Sequence, residues 1–121
     1  ETGKTNFWRF AWVADYPDPI NFLNLFYGKN VPATMDEPAY TNPSRYQNAD
    51  YDRIYEKAMI TADATERNKL YAQLDQMIVD DAPCLLIYYS MNRRLIQPYV
   101  KNFFNNGMEY RSFREVWLDK K

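Results

Sequence analysis

No histidine occurs among the 121 residues, and cysteine occurs once, at Cys84. The chain therefore lacks the commonest transition-metal ligand and the commonest general base, and one thiol can neither close an internal disulfide nor build a cysteine-rich metal site. Glycine is scarce, at three residues, and nowhere forms a phosphate-cradling loop. No run approaches the roughly 20 apolar residues that a bilayer-spanning helix requires. The chain opens on Glu1 rather than Met, and its first residues do not have the form of a secretory signal. The expectation is a mature or excised segment, with export left open.

Aromatic side chains are what the sequence has in excess. They make up 17% of it, with Tyr alone at 11 residues, inside a hydrophobic share of 46%. That composition suits a packed core rather than disorder, and the length fits one domain burying about two thirds of its unfolded surface. The net charge is −1, but the basic residues Arg93, Arg94, Lys101, Arg111, Arg114, Lys120 and Lys121 gather after residue 91. They alternate with apolar and acidic positions, the pattern of a solvated face, so no nucleic-acid partner is expected.

FWRFAWVA at 7–14 is too aromatic and apolar for a half-solvated element and reads as a strand covered on both sides, stopped by Pro17 and Pro19. NFLNLF at 21–26 predicts a short helix or an ordered turn. Residues 28–49, with Gly28, Pro32, Pro38 and Pro43 among Asn, Thr and Ser, read as a structured loop. Tyr51, Ile54, Tyr55, Ala58 and Ala62 form a helical stripe opposite Asp52, Arg53, Glu56 and Lys57, with Asn48 or Asp50 as cap. Asp63 and Glu66 have the spacing of a capping box for a second helix, whose buried face is Leu70, Tyr71, Leu74, Met77 and Ile78 and which Pro83 closes. CLLIYYS at 84–90 and EVWLD at 115–119 are strand candidates, and RLIQPYV at 94–100 can contain another short strand ending near Pro98, the three separated by the NRR break and an irregular passage from Lys101 to Arg114. A mixed sheet covered by helices follows from this order.

Chemistry is harder to place. Asp15 and Asp18 could form a carboxylate pair, but adjacency cannot establish the separation a glycosidase needs, and calcium needs several converging oxygens. Asp80 and Asp81 fit the end of a helix. Ser90 and Cys84 have no base beside them, so no catalytic residue is assigned. Within WVADYPDP at 12–19, Asp15 has two readings: a turn carboxylate accepting backbone hydrogen bonds, or the anionic end of a binding site. Asp18, between two prolines, fits a turn organised by its own side chain.

The ordered series WVADYPDPINFLNLF, NPSRYQNADYDRIYEKA, ERNKLYAQLDQMIVDDAPCLLIYY, RLIQPYVKNF and EVWLDK resembles the C-terminal part of extracytoplasmic solute-binding proteins of the oligopeptide and dipeptide ABC-transporter family. The resemblance runs through nearly the whole chain. It implies an α/β fold, part of a periplasmic-binding-protein-like type II lobe with a mixed β-sheet and flanking helices, and residues 1–121 as an incomplete share of a two-lobed protein. It also implies binding without catalysis or cofactor, at the periplasm or the extracellular face. The implied partners are a peptide or other small solute, an ABC-transporter permease and the remainder of the solute-binding protein, with self-association expected of the isolated segment.

In peptide-binding members an acidic residue of the W-x-x-D segment pairs with the ligand's α-ammonium group, and the match falls on Asp15. Trp12 becomes a cleft-wall candidate and Tyr16 a further ligand contact, while Asn21 and Phe22 line or support the cleft. Tyr88, Tyr89, Arg93 and Arg94 take no ligand role from the resemblance. A nickel complex, an oligosaccharide or another nonpeptide solute is the alternative ligand, and a noncatalytic interaction module the alternative function.

Overall fold

A computed structural model describes residues 4–91, 93–108, 110 and 112–119. Asn92 of the NRR break and Arg111, Lys120 and Lys121 of the basic tail lie outside the described residues. The chain divides into two compact units, Glu1–Leu85 and Leu86–Lys121.

The first unit is built on helices. A short helix α1 (Ile20–Leu23) runs into 3₁₀ turns at Asn24–Phe26 and Gly28–Asn30, and two longer helices follow, α2 (Ala49–Ile60) and α3 (Ala64–Asp81). Asn48 starts α2: its backbone is extended, and its side chain accepts the N–H groups of Asp50 and Tyr51 at 3.0 and 3.2 Å. Asp63 starts α3 by accepting the Glu66 N–H at 2.8 Å. The predicted capping box is only half made, because the Glu66 carboxylate pairs with Lys69 at 2.7 Å. Ala62 is a second correction. The chain leaves α2 at Thr61, whose extended backbone (ψ 111°) carries it toward the Asp63 cap, so Ala62 lies exposed beyond the helix. At the other end of α3, Ala82 adopts the left-handed conformation (φ 45°) and donates its N–H to the Ile78 carbonyl at 3.0 Å, just before Pro83.

The core lies where α1, α2 and α3 meet. Ile20, Leu23, Tyr51, Tyr55, Ala58, Tyr71, Leu74 and Ile78 are buried in one cluster, flanked by Phe26, Tyr27, Tyr46, Ile54, Leu70 and Met77. Three of these buried side chains are tyrosines, so their hydroxyls need partners. Tyr51 donates to the Leu23 carbonyl at 2.8 Å, and Tyr55 donates to the Asn24 side-chain oxygen at 2.9 Å. Burial first, with the nearby tyrosines, pushes the Tyr55 hydroxyl up to about 12, and burial moves that of Tyr51 higher still. The rings form a continuous row: Tyr27 stacks on Tyr55 at 4.5 Å, and Tyr46 meets Tyr51 edge-on at 5.5 Å.

The loop before α2 is pinned by buried polar groups, as the structured loop predicted there would need to be. Asn42, at 0% exposure, donates to the Tyr27 and Tyr46 carbonyls and accepts from the Ser44 hydroxyl and the Tyr46 N–H. Arg45 spans the loop from within, donating to the Thr34, Met35 and Glu37 carbonyls. Gly28 sits against α2, its N–H donated to the Asp52 carboxylate at 2.7 Å, and a Cβ there would lie 2.5 Å from that carboxylate.

The second unit holds a two-stranded antiparallel sheet, β1 (Val100–Lys101) and β2 (Trp117–Leu118), with Val100 opposite Leu118 and Lys101 opposite Trp117. The EVWLD candidate thus shortens to two residues, and the strand expected to end near Pro98 is corrected: β1 lies beyond that proline, which has no N–H to give a ladder. Arg94 lies over the Phe103 ring and donates to Asn105 at 3.1 Å. The mixed α/β class expected from the sequence is the class of the structure, consistent with part of a periplasmic-binding-protein-like lobe.

Two predicted strands are corrected. Residues 7–14 and 84–90 are in no ladder, and most of their apolar side chains face solvent, with Phe7 at 88% exposure, Leu85 at 80% and Trp12 half-buried. Apolar, β-prone sequence becomes a strand only when another backbone runs alongside it and completes a ladder, and neither segment is a ladder strand among the described residues.

Replacing Tyr51 with Phe should lower stability by about 1 to 2 kcal/mol, since the Leu23 carbonyl loses a buried donor while the ring stays. Urea unfolding followed by circular dichroism measures this, and Tyr55→Phe, at a less buried bond, should cost less. A pH effect is expected at Asp81. Hydrogen bonds from the Tyr46 hydroxyl and then the Asn48 amide hold its carboxyl below the ordinary 3.8. Its contribution is therefore present above that value and lost as pH falls through the lower folded-state value. Asp81→Asn should flatten the acid limb of stability below about pH 4, leaving the slope near neutrality unchanged.

Candidate functional site

The turn from Trp12 to Asn21 carries the three candidate residues and gives its two carboxylates different work. Asp18 serves the fold. Its side chain accepts the Ile20 N–H at 3.0 Å, two residues on, and opens α1; its backbone N–H goes to the Tyr16 carbonyl at 2.9 Å and its carbonyl receives the Asn21 N–H at 3.1 Å. It also reaches α3: burial first, then the Asp18 carboxylate beside it, raise the Tyr71 hydroxyl above its ordinary value.

Asp15 is used differently. It is exposed, and among the described residues its carboxylate meets only the Asn21 side-chain amide, at a long 3.5 Å. No described backbone N–H is donated to the Asp15 carboxylate, whereas Asp18 accepts that of Ile20. What Asp15 offers instead is a solvent-facing anion on an ordered turn, able to accept a charge-assisted hydrogen bond from a cation.

Asn21 connects the candidates. Only 5% exposed, it accepts the Trp12 indole N–H at 2.7 Å and the Asp15 backbone N–H at 3.3 Å through one oxygen. Trp12 and Asp15 are thereby brought together. The half-buried Trp12 ring also stacks on Phe10, with centroids 6.1 Å apart. Tyr16 is exposed and outside this hydrogen-bonded group. Phe22, also proposed to line or support a cleft, is exposed on α1. The sequence marked Asn21 as a supporting residue but gave no sign that it is the hub, because a buried amide becomes visible only once its neighbours are placed.

Other features carry less. An open apolar groove in the second unit is lined by Leu95, Ile96, Val100, Phe103, Phe113 and Val116, with Arg94 and Gln97 at its edge. Among the described residues no three His, Cys, Asp or Glu side chains are grouped to hold a metal ion. No helix among them is long and apolar enough to cross a membrane.

The chain is homologous to several periplasmic binding proteins. It is 33% identical over 111 residues to the "Probable deoxycholate-binding periplasmic protein YgiS" of Escherichia coli, covering 91% of this chain and 19% of that protein. The periplasmic oligopeptide-binding protein OppA of Salmonella typhimurium is 32% identical over 95 residues, 78% of this chain and 16% of the relative. The periplasmic murein peptide-binding protein MppA of Escherichia coli is 29% identical over 120 residues, 98% of this chain and 21% of the relative. The chain thus spans about a fifth of the length of the curated relatives it matches. No protein-family model and no solved structure matches it.

The division of labour between the carboxylates is measurable. Asp18→Ala should destabilise the chain by about 1 to 2 kcal/mol through loss of the turn acceptor, whereas Asp15→Asn should stay within about 0.5 kcal/mol of the parent. Thermal unfolding of the two variants side by side gives the comparison, and a larger loss from Asp15→Asn would return that residue to a structural role.

Proposed function

We propose that this chain is the C-terminal part of an extracytoplasmic solute-binding protein of the oligopeptide and dipeptide ABC-transporter family, and that Asp15 pairs with the α-ammonium group of a bound peptide. The observation that carries this reading is the uncommitted Asp15 carboxylate beside a fully employed Asp18. Homology to proteins named for oligopeptide and murein-peptide binding supports it. Trp12 supplies an apolar wall next to the anion, and Tyr16 an exposed ring and hydroxyl on the same turn.

The mechanism is capture without a covalent step. A peptide amino terminus brings three N–H donors and a positive charge, and a carboxylate held on a rigid turn accepts them with little reorganisation. The remainder of the protein supplies the opposing wall and the contacts along the peptide, with water mediating where side chains vary. The loaded protein then delivers its solute to the permease of the transporter, at the periplasm or the extracellular face. A nonpeptide solute is the second reading, favoured by one observation: the relative at 33% identity is named for deoxycholate binding.

In the protein that carries this chain, Asp15→Asn should weaken peptide binding by roughly 2 to 5 kcal/mol, part of which reports a ligand charge left unpaired. N-acetylation of the peptide should weaken binding to the parent and produce a much smaller further loss in the variant, because both changes remove the same pairing. Calorimetry on the four combinations gives the coupling. Additive losses in folded proteins would dismiss the amine anchor, and tighter binding of deoxycholate than of peptide would favour the second reading.

A further inference from the structure

Asn21 is the buried polar residue of the Trp12–Asn21 turn that neither caps α1 with its side chain nor belongs to the apolar core. Its amide makes three side-chain contacts, and they fix its orientation. The indole N–H of Trp12 and the backbone N–H of Asp15 are donors only, so the atom facing both must be the oxygen. The nitrogen is left facing the Asp15 carboxylate, 3.5 Å from one of its oxygens.

We infer that Asn21 is a positioning residue for the solute site, holding the Trp12 ring and the Asp15 carboxylate in one fixed relation so that the carboxylate is presented to a ligand ammonium group. This rests on the proposed pairing of Asp15 with a cationic terminus. The chemistry selects an amide at this position. A single oxygen with two lone pairs serves the two donors, and the adjoining nitrogen orients the anion without neutralising it. A cation in that place would compete with the ligand, and a second carboxylate would raise the proton affinity of the first. The contact to Asp15 uses one carboxylate oxygen. The other oxygen, on an exposed side chain, remains for the ligand.

The test uses the protein that carries this chain, with one peptide in free-amine and N-acetylated forms. The ratio of the two affinities measures recognition of the terminus, separately from the rest of the peptide. Asn21→Ala should lower that ratio roughly tenfold, the scale of a lost hydrogen bond to a charged group, with the acetylated peptide losing less, through the loosened Trp12 wall alone. Equal losses for both peptides, or no loss for either, would overturn the inference. Should Asn21→Ala fail to fold, Asn21→Asp keeps an acceptor for Trp12 and for the Asp15 N–H while setting a second carboxyl against Asp15. Its binding of the free-amine peptide should then weaken as pH falls more steeply than in the parent protein, a difference the acetylated peptide does not show. A profile no steeper than the parent's would show that the two side chains do not face each other. Strong coupling in the Asp15 acetylation cycle together with an unchanged Asn21 ratio removes only the present inference, whereas additivity in that cycle removes the amine pairing beneath it.

Discussion

A tyrosine hydroxyl buried in an apolar core has to find an acceptor, and in this chain the acceptor lies on another element. Tyr51, at the start of α2, reaches the Leu23 carbonyl at the end of α1, and one turn later Tyr55 reaches the Asn24 side chain. These bonds fasten a four-residue helix that could not hold its own shape in water. The candidate site depends on that fastening, because α1 carries Asn21 and Asn21 holds Trp12 and Asp15. Aromatic burial in the middle of the sequence thus sets the geometry of residues some thirty positions earlier.

The two aspartates of the turn show how similar local sequence leads to different roles. Asp18 stands between Pro17 and Pro19, where the next free N–H, that of Ile20, is one residue beyond a proline and within reach of its side chain. Asp15 precedes the prolines, and its carboxylate meets only the far edge of an amide whose oxygen is already occupied. The fold therefore uses one anion and leaves the other facing solvent. A binding site needs that second condition, since an anion already paired within the protein has little left to offer a ligand.

Much of the first unit was legible in the sequence because its signals are local. The Asn48 and Asp63 caps, the Tyr51–Tyr55–Ala58 stripe and the stop before Pro83 all rest on periodicity and short-range hydrogen bonding, and all are present. The strands at 7–14 and 84–90 were misread for the opposite reason. Their composition is β-prone, but a ladder is a relation between two segments, and composition says nothing about whether the second is at hand. In the site, Asp15 stands out from its place at the break of an apolar run, while its pairing with an ammonium group and the cleft-wall role of Trp12 come from the resemblance alone. The hub role of Asn21 was invisible, since an asparagine in DPINF reads as an ordinary turn residue until its neighbours are placed. The buried Asn42 and the Arg45 clamp escaped for the same reason, being polar residues in a polar loop whose partners lie up to fifteen positions away.

The contact between Gly28 and α2 limits how this sequence can change. A side chain at position 28 would begin 2.5 Å from the Asp52 carboxylate, while the Gly28 N–H depends on that same carboxylate. Enlarging position 28 alone pushes the Asp52 carboxylate aside and disturbs this hydrogen bond, and shortening position 52 alone removes the acceptor of the Gly28 N–H. Drift at either site is therefore gated by the other, and in a lineage of such proteins the two should be inherited as a pair or replaced as a pair. Asp52 on the polar face of α2 reads as a freely variable surface residue, yet its partner makes it one of the less exchangeable charges in the chain.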